Sequence, residues 1–380
     1  MMESSSGRGV YIHVPFCRSR CDFCSFYLEV HRPATAAAFV RALLREISLY
    51  RTLNPFGDQP LTSVYFGGGT PTTLSTLQLR SILNMVRGTF VLEDDAEISI
   101  EAHPGTVTRP MLGELVEAGF NRISFGAESM ERDELIHVGR PGSPKGTALA
   151  VKAARQAGFA SISLDLMYGL PGQTTASWLA TLEQILTLRP THLSCYALTV
   201  EDGTQLEAAV NRGHIPAPDA ALQNEMEDVA EETLTAAGFH RYEISNYHHQ
   251  DHSRCRHNLL YWTDGRYLGL GPSAQSYVGD VRYGNVSDLD RYTNVLEAGL
   301  LPHEGLEQLS PRRRLREAAV FGLRKTAGIS ADLLCDENAP DRLMIVRRLI
   351  KEHYLERSGE AIRLTAHGRR YADEVSIQLL

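Results

Sequence analysis

Between residues 9 and 200, strand-length apolar runs alternate with longer stretches whose apolar residues recur at helical spacing, in six β-α steps. GVYIHV (9–14), LTSVYFGGG (61–69), AEISIEAHP (96–104), RISFGAES (122–129), SISLDLMYGLP (161–171) and HLSCYALTV (192–200) read as the strands. Strands separated by helices pair in parallel, because a helix-length connection returns the chain to the same end of the sheet. The loops FGGGTP, EAHPG, GAES, LDLMYGLPGQ and YALTVEDG then share the C-terminal edge, where parallel α/β sheets place their ligands. The fold expected is α/β: a partial (β/α)6 TIM-like barrel over residues 1–238. Residues 239–305 are polar, aromatic and rich in His and Gly, and read as an irregular segment closing over the barrel. Residues 306–380 turn helical, with two short strands joined at SGE, as in a small winged-helix-like domain.

A chain of 380 residues is long enough for a large domain and a smaller one. Its 43% hydrophobic and 22% charged residues exclude a disordered chain, and no apolar run is long enough to span a bilayer. MMESSSGRG lacks a signal-peptide core, so a cytoplasmic location is expected. The net charge of −8 argues against broad attraction to nucleic acid, and PRRRLR (311–316) reads as a solvated helix start. In a reducing compartment the six cysteines stay unpaired, with Cys195 and Cys335 as buried, inert thiols.

Cys17, Cys21 and Cys24 fall within eight positions and need another account. Structural zinc takes four ligands, usually as two separated pairs, and only His31 stands near as a fourth. Three thiolates better suit a 4Fe-4S cube with one iron left open to a small molecule. A zinc scaffold remains the rival, to be told apart by colour and metal content.

The spacing CxxxCxxC after a first strand, followed one β-α unit later by FGGGTP, resembles the radical S-adenosylmethionine (SAM) family. YIHVPFC, FGGGTPT, GFNRISFG, LDLMYGLPGQT, HNLLYW and YLGLGPSA together are similar to its oxygen-independent coproporphyrinogen III oxidase group, and most like the heme chaperone branch, HemW. The resemblance implies that the open iron is chelated by SAM, whose sulfonium C–S bond is broken reductively to give a 5'-deoxyadenosyl radical. It places Tyr11, Phe23, Gly68, Gly69, Thr70, Glu101, Glu128, Arg140, Asp165 and Ala197 around one or two SAM molecules. It also implies heme, held by His257, Tyr261 and Trp262 of RHNLLYW, with acceptor hemoproteins and an electron donor as partners and a homodimer as an option. His248, His249, His252 and Cys255 form a further ligand-rich stretch.

Several positions depart from the group's pattern. Glu128 stands where Gln is usual, and GRPGSP after Arg140 lacks a usual His, which puts a second SAM in doubt. Phe26 replaces the further cysteine of the oxidases, so oxidative decarboxylation of coproporphyrinogen is not expected, and Gln275 stands where a His is frequent. Two activities stay open: heme transfer, and methylation of heteroaromatic carbons as in the class C radical methyltransferases.

Overall fold

The computed structural model describes residues 7–334 and 340–380; Cys335 lies outside them. Six parallel strands form its centre: β1 (Arg8–Val14), β2 (Leu61–Gly68), β3 (Leu92–Ala102), β4 (Arg122–Glu128), β5 (Ser161–Tyr168) and β6 (His192–Ala197), hydrogen-bonded in that order. Side chains alternate across each strand, so one face carries Val10, Ile12, Val64, Phe66, Ile123 and Phe125, all 0% exposed, against the surrounding helices. The opposite face is polar: Glu97, Ser99 and Glu101 on β3, Ser163 and Asp165 on β5, His192 and Tyr196 on β6. These inward groups meet across the curved sheet, as when Arg122 on β4 reaches the Nδ1 of His192 at 3.3 Å. β1 and β6 are not paired with each other, so the barrel is partial.

The helices between strands start and stop where the sequence provides for it. Ser75 and Gln78 form a capping box ahead of Thr76–Arg87, and Thr174 with Ser177 does so ahead of Thr175–Thr187. Arg109–Ala118 and Pro144–Ala157 both end at glycines in the left-handed region, Gly119 and Gly158, each at φ 100°.

Residues 239–305 depart from the expected irregular cap. After β7 (Asn246–His248), antiparallel to β6, the chain forms a helix at Arg256–Trp262 and then β8 (Arg266–Leu270), which pairs in parallel with β1. β9 (Gln275–Val278), β10 (Val281–Asn285) and β11 (His303–Gln308) continue that edge antiparallel, and with the short strand His240–Arg241 beside β7 the sheet has twelve strands among the described residues. The helix Arg256–Trp262 lies at the N-terminal ends of the barrel strands, opposite the loops of the expected site. Its first amides, Arg256 N at 2.9 Å and His257 N at 3.3 Å, donate to the Glu97 carboxylate inside the barrel. It is a floor rather than a lid, because Glu97 supplies the acceptor that the orphan amides of a helix start require.

The tail has its own core around Val320, Leu334, Leu349, Ile362 and Leu379. Helices Pro311–Gly322 and Pro340–Lys351 precede strands Leu355–Ser358 and Ala361–Leu364, and Ala372–Leu379 closes the chain. Two of the four arginines of PRRRLR are paired: Arg313 with Glu307 and Glu317, and Arg314 with Asp280.

Candidate functional site

At the C-terminal ends of the six strands lies a cavity of about 610 Å³. The loop after β1 brings Cys17, Cys21 and Cys24 to its wall, and the loop is tied down by backbone bonds from Asp22 N to Val138 O (3.1 Å) and from Leu206 N to Asp22 O (2.8 Å). Phe23, also on the wall, packs with Tyr196 against an apolar cluster that includes Met167 and Leu198. The Cys17 sulfur lies 3.3 Å from Thr70 Oγ1, and Arg140 Nη1 donates to the Cys21 sulfur at 3.4 Å. Burial pushes the Cys17 and Cys24 thiols up, the neighbouring sulfurs push them further, and Arg140 pulls them down. His31, the fourth ligand a zinc site would draw on, is not on the wall; its ring stands edge-on to Phe16, with centroids 5.9 Å apart.

Glycines set the opposite wall. Gly68 sits at φ 106°, and a Cβ there would lie 2.7 Å from the His13 ring; one on Gly69 would lie 2.7 Å from the carbonyl oxygen of Phe16. The amides of Gly68, Gly69 and Thr70 already donate to Glu101, Val14 O and Phe16 O, so carbonyl oxygens are what this turn offers a ligand. Gly69→Ala is expected to cost about 1 to 3 kcal/mol of stability, since the added methyl meets backbone rather than a mobile side chain. Denaturant unfolding reads that loss; an unchanged midpoint would contradict the close approach.

The inner end of the cavity is acidic. Glu101 accepts from Tyr65 OH (2.8 Å) and Gly68 N (3.2 Å), and burial, then Asp165, pushes its carboxyl up to about 7. Asp165, held by Ser124 Oγ at 2.9 and 3.0 Å, is likewise raised by burial. Glu128 pairs with Arg140 at 3.3 Å and is raised to about 6, burial outweighing the guanidinium. It occupies φ 62° beside a register shift in β4, a strained setting for a side-chain-bearing residue that turns its carboxylate toward Arg140. Arg140 also donates to Gly126 O at 2.7 Å, where any Cβ on residue 126 would lie 2.4 Å from its Nη2.

Of the residues singled out in the sequence, Cys17, Cys21, Cys24, Phe23, Gly68, Gly69, Thr70, Glu101, Glu128, Arg140, Asp165 and Ala197 line this one cavity. Tyr11 does not. Its ring lies in a buried stack beneath the cavity, 6.1 Å from both Tyr65 and His257, because inward residues near the middle of a strand point below its mouth. The heme residues lie elsewhere again. His257 is 1% exposed within the barrel floor, its Nδ1 bonded to Ser63 Oγ (2.9 Å) and its Nε2 to Tyr261 OH (3.2 Å), and burial pushes it down to about 3. Trp262 packs under the Arg324 guanidinium at 4.8 Å. Both imidazole nitrogens of His257 are thus committed to hydrogen bonds inside the floor. The other histidines of that stretch do not converge: His248 is buried and accepts from Arg254 at 3.2 Å, while His249 packs edge-on to Phe239.

Two wall residues went unread in the sequence. His103 accepts from Gly105 N (2.9 Å) through Nδ1, donates to Pro141 O (2.7 Å) through Nε2, and is lowered to about 4 by burial and then by Arg140. Tyr196 donates to Glu128 at 3.4 Å; its place two residues beyond inward-facing Ser194 was the available signal.

The family model of the Radical SAM superfamily matches residues 11–185. Heme chaperone HemW of Bacillus subtilis is 32% identical over 97% of this chain and 98% of its own length. Heme chaperone HemW of Mycobacterium tuberculosis is 35% identical over 98% of this chain and 94% of its own. In fold, the chain superposes on coproporphyrinogen III oxidase (HemN) of Escherichia coli with a TM-score of 0.86 at 24% identity, covering 100% of this chain and 91% of that one. Radical SAM membership implies a 4Fe-4S cluster and SAM, and the residues present fit both. Three thiols line the cavity without a fourth cysteine, carboxyls supply acceptors for an ammonium and ribose hydroxyls, and the buried Nε of Arg140 has no partner among the described residues. The chain belongs to the radical SAM superfamily and, within it, to the family of the HemW proteins.

Proposed function

We propose that this chain binds heme and delivers it to acceptor hemoproteins, holding a 4Fe-4S cluster on Cys17, Cys21 and Cys24 and SAM in the adjoining cavity. The observation that carries the reading is the extent of identity to HemW: it runs through 97% and 98% of this chain, so sheet extension and tail are shared along with the barrel. When bound, the cluster and SAM supply reductive cleavage of a sulfonium C–S bond. The chain's part is to position and shield. Gly68, Gly69 and Thr70 would hold the methionyl end, Glu101, Glu128, Arg140, Asp165 and Ala197 the remainder, while Phe23, Met167 and Leu198 keep water from the cysteines.

Oxygen-free reconstitution followed by hemin titration tests the proposal. A Soret band should grow to saturation, then move to an added apo-hemoprotein, with no S-adenosylhomocysteine formed. Methylated product with S-adenosylhomocysteine would replace heme transfer by methyl transfer.

The pH dependence of SAM affinity follows from Glu101. A raised carboxyl contributes stability that is full below its unfolded value near 4.5 and is lost as pH climbs through about 7. A cationic ligand favours the ionised form, so affinity should rise by roughly tenfold between pH 6 and pH 8. Calorimetric titration of Glu101→Gln should show a flatter profile, with the residual slope from Glu128; an unchanged slope would exclude Glu101 as the cause.

His257→Ala is expected to keep wild-type heme affinity while losing about 2 to 3 kcal/mol of stability, because Ser63 and Tyr261 are left unpaired in the floor. Heme loss at unchanged stability would restore His257 as a ligand.

A further inference from the structure

His257 and Tyr261, which the fold carries away from the cavity, stay joined to it by a run of rings. Tyr65 on β2 donates to Glu101 in the cavity wall at 2.8 Å, so its phenol lies one hydrogen bond behind the ligand space. Its ring stacks on His257 with centroids 5.1 Å apart and planes at 26°, and His257 meets Tyr261 edge-on at 5.6 Å. Tyr261 in turn meets Tyr267 on β8 at 4.7 Å, and both are partly exposed. Gly9 on β1 makes the contact possible. A Cβ there would lie 2.9 Å from His257 Nδ1 and 2.5 Å from the Leu260 side chain, so glycine leaves the helix Arg256–Trp262 room to press into the barrel.

Protons have no route along this run, because the hydrogen bonds of Tyr65 and His257 go to Glu101, Ser63 and Tyr261 rather than to each other. Electrons do, since rings this close overlap. Burial holds the phenols of Tyr65 and Tyr261 above their ordinary range, so each must give up a proton when it is oxidised. Each has an acceptor in place: the Glu101 carboxylate for Tyr65, and Nε2 of His257, at 3.2 Å, for Tyr261. The run ends at Tyr267. The next rings, Tyr277 and Trp262, lie under the guanidiniums of Arg266 (4.1 Å) and Arg324 (4.8 Å), and a cation over a ring opposes removal of an electron.

We propose that Tyr65, Tyr261 and Tyr267 form a path that drains an oxidising radical from the cavity to the protein surface, with the His257 ring bridging the first two. The oxidant rests on the radical chemistry read above for the cavity; the path belongs to the chain itself. A carbon-centred radical stranded in the cavity takes one electron from Tyr65, whose proton passes to Glu101. Tyr261 refills Tyr65 with one electron while Glu101 returns the proton, and the proton of Tyr261 waits on His257 until Tyr267 refills Tyr261. A thiol in solution then restores Tyr267. In sum one electron and one proton leave the thiol S–H bond, the radical takes up both to form a C–H bond, and a thiyl radical remains outside.

The test injects the oxidising equivalent without cluster or SAM, so failure of the path and failure of the cluster reading are separate results. The full chain with Cys17→Ala, Cys21→Ala and Cys335→Ala carries a ruthenium polypyridyl maleimide on Cys24 in the cavity wall, while Cys195 and Cys255 are buried and stay unlabelled. A flash with a cobalt(III) acceptor present oxidises the dye, and transient absorption follows the tyrosyl radical and its quenching by glutathione. Tyr65→Phe should slow radical formation by about tenfold or more, whereas Tyr261→Phe should leave formation intact and slow quenching by about tenfold or more. Circular dichroism checks the fold of each variant, and Tyr267→Phe, at a partly exposed position, gives the same quenching readout should Tyr261→Phe fail to fold. Formation at the parent rate in Tyr65→Phe, or quenching at the parent rate in folded Tyr261→Phe or Tyr267→Phe, would overturn the proposal.

Discussion

Cys17→Ala, Cys21→Ala and Cys24→Ala are each expected to bring iron from about four per chain to near zero after oxygen-free reconstitution. The three sulfurs sit in one wall with no fourth cysteine among the described residues to substitute for a lost corner. Burial raises the Cys17 and Cys24 thiols, so loading must release protons and depends on the charge brought by iron, with Arg140 favouring the thiolate at both and Arg20 also at Cys24. Cys195 and Cys255 provide the control. Both are buried, Cys195 on the outer face of β6 and Cys255 against Glu97 in the floor, and both thiols are pushed up by desolvation. Cys195→Ala and Cys255→Ala should therefore keep their iron. Elemental analysis with far-ultraviolet circular dichroism separates loss of iron from loss of fold; iron loss in the control variants with the fold intact would contradict the three-cysteine assignment.

Glu46→Ala is expected to destabilise the protein by about 3 to 5 kcal/mol, although Glu46 lies on an outer helix away from the cavity. Its carboxylate is 0% exposed and accepts from Gly271 N (2.8 Å), Asn285 Nδ2 (2.6 Å) and Tyr292 OH (2.5 Å). Truncation takes this acceptor from the buried Gly271 amide and Tyr292 hydroxyl and leaves Asn285 Nδ2 with Gly271 O alone (2.9 Å). It also frees the turn at Gly271, which at φ 95° approaches β1 so closely that a Cβ would lie 2.4 Å from His13 O. His13 in turn bonds the carbonyl of Tyr27 in the cysteine loop at 3.1 Å. The effect should therefore reach the site as a less stable loop. Burial pushes the Glu46 carboxyl up to about 7, so its contribution is largest below about 4.5 and declines as pH rises through 7. Unfolding of wild type and Glu46→Gln from pH 6 to 8 should show a steeper decline in the wild type than in the variant; parallel curves would exclude it.

The barrel was legible because its signals are local. Strand-to-helix alternation, the capping pairs Ser75–Gln78 and Thr174–Ser177, and glycines at helix ends all act within a few residues. The cavity wall was legible for a related reason: once strands are parallel, their C-terminal loops must share an edge, and FGGGTP, EAHPG and GAES are such loops. What stayed hidden depends on register and distant pairing. The pairing of β8 with β1 joins Tyr267 to Gly9, and no local pattern announces it. That pairing turns the expected cap into a sheet extension and sends His257 into the floor, where Glu97, 160 residues away, receives its amide. For Tyr11 the face was readable from alternation, and its level in the barrel, beside Tyr65 and His257, was not.

Mössbauer spectroscopy of the iron-57-reconstituted wild-type chain, recorded before and after SAM, tests the central claim most directly. A 4Fe-4S spectrum in which SAM changes the signal of one iron in four is expected. Stoichiometric zinc in place of iron, or a cluster spectrum that SAM leaves untouched, would contradict a three-cysteine cube with an open corner.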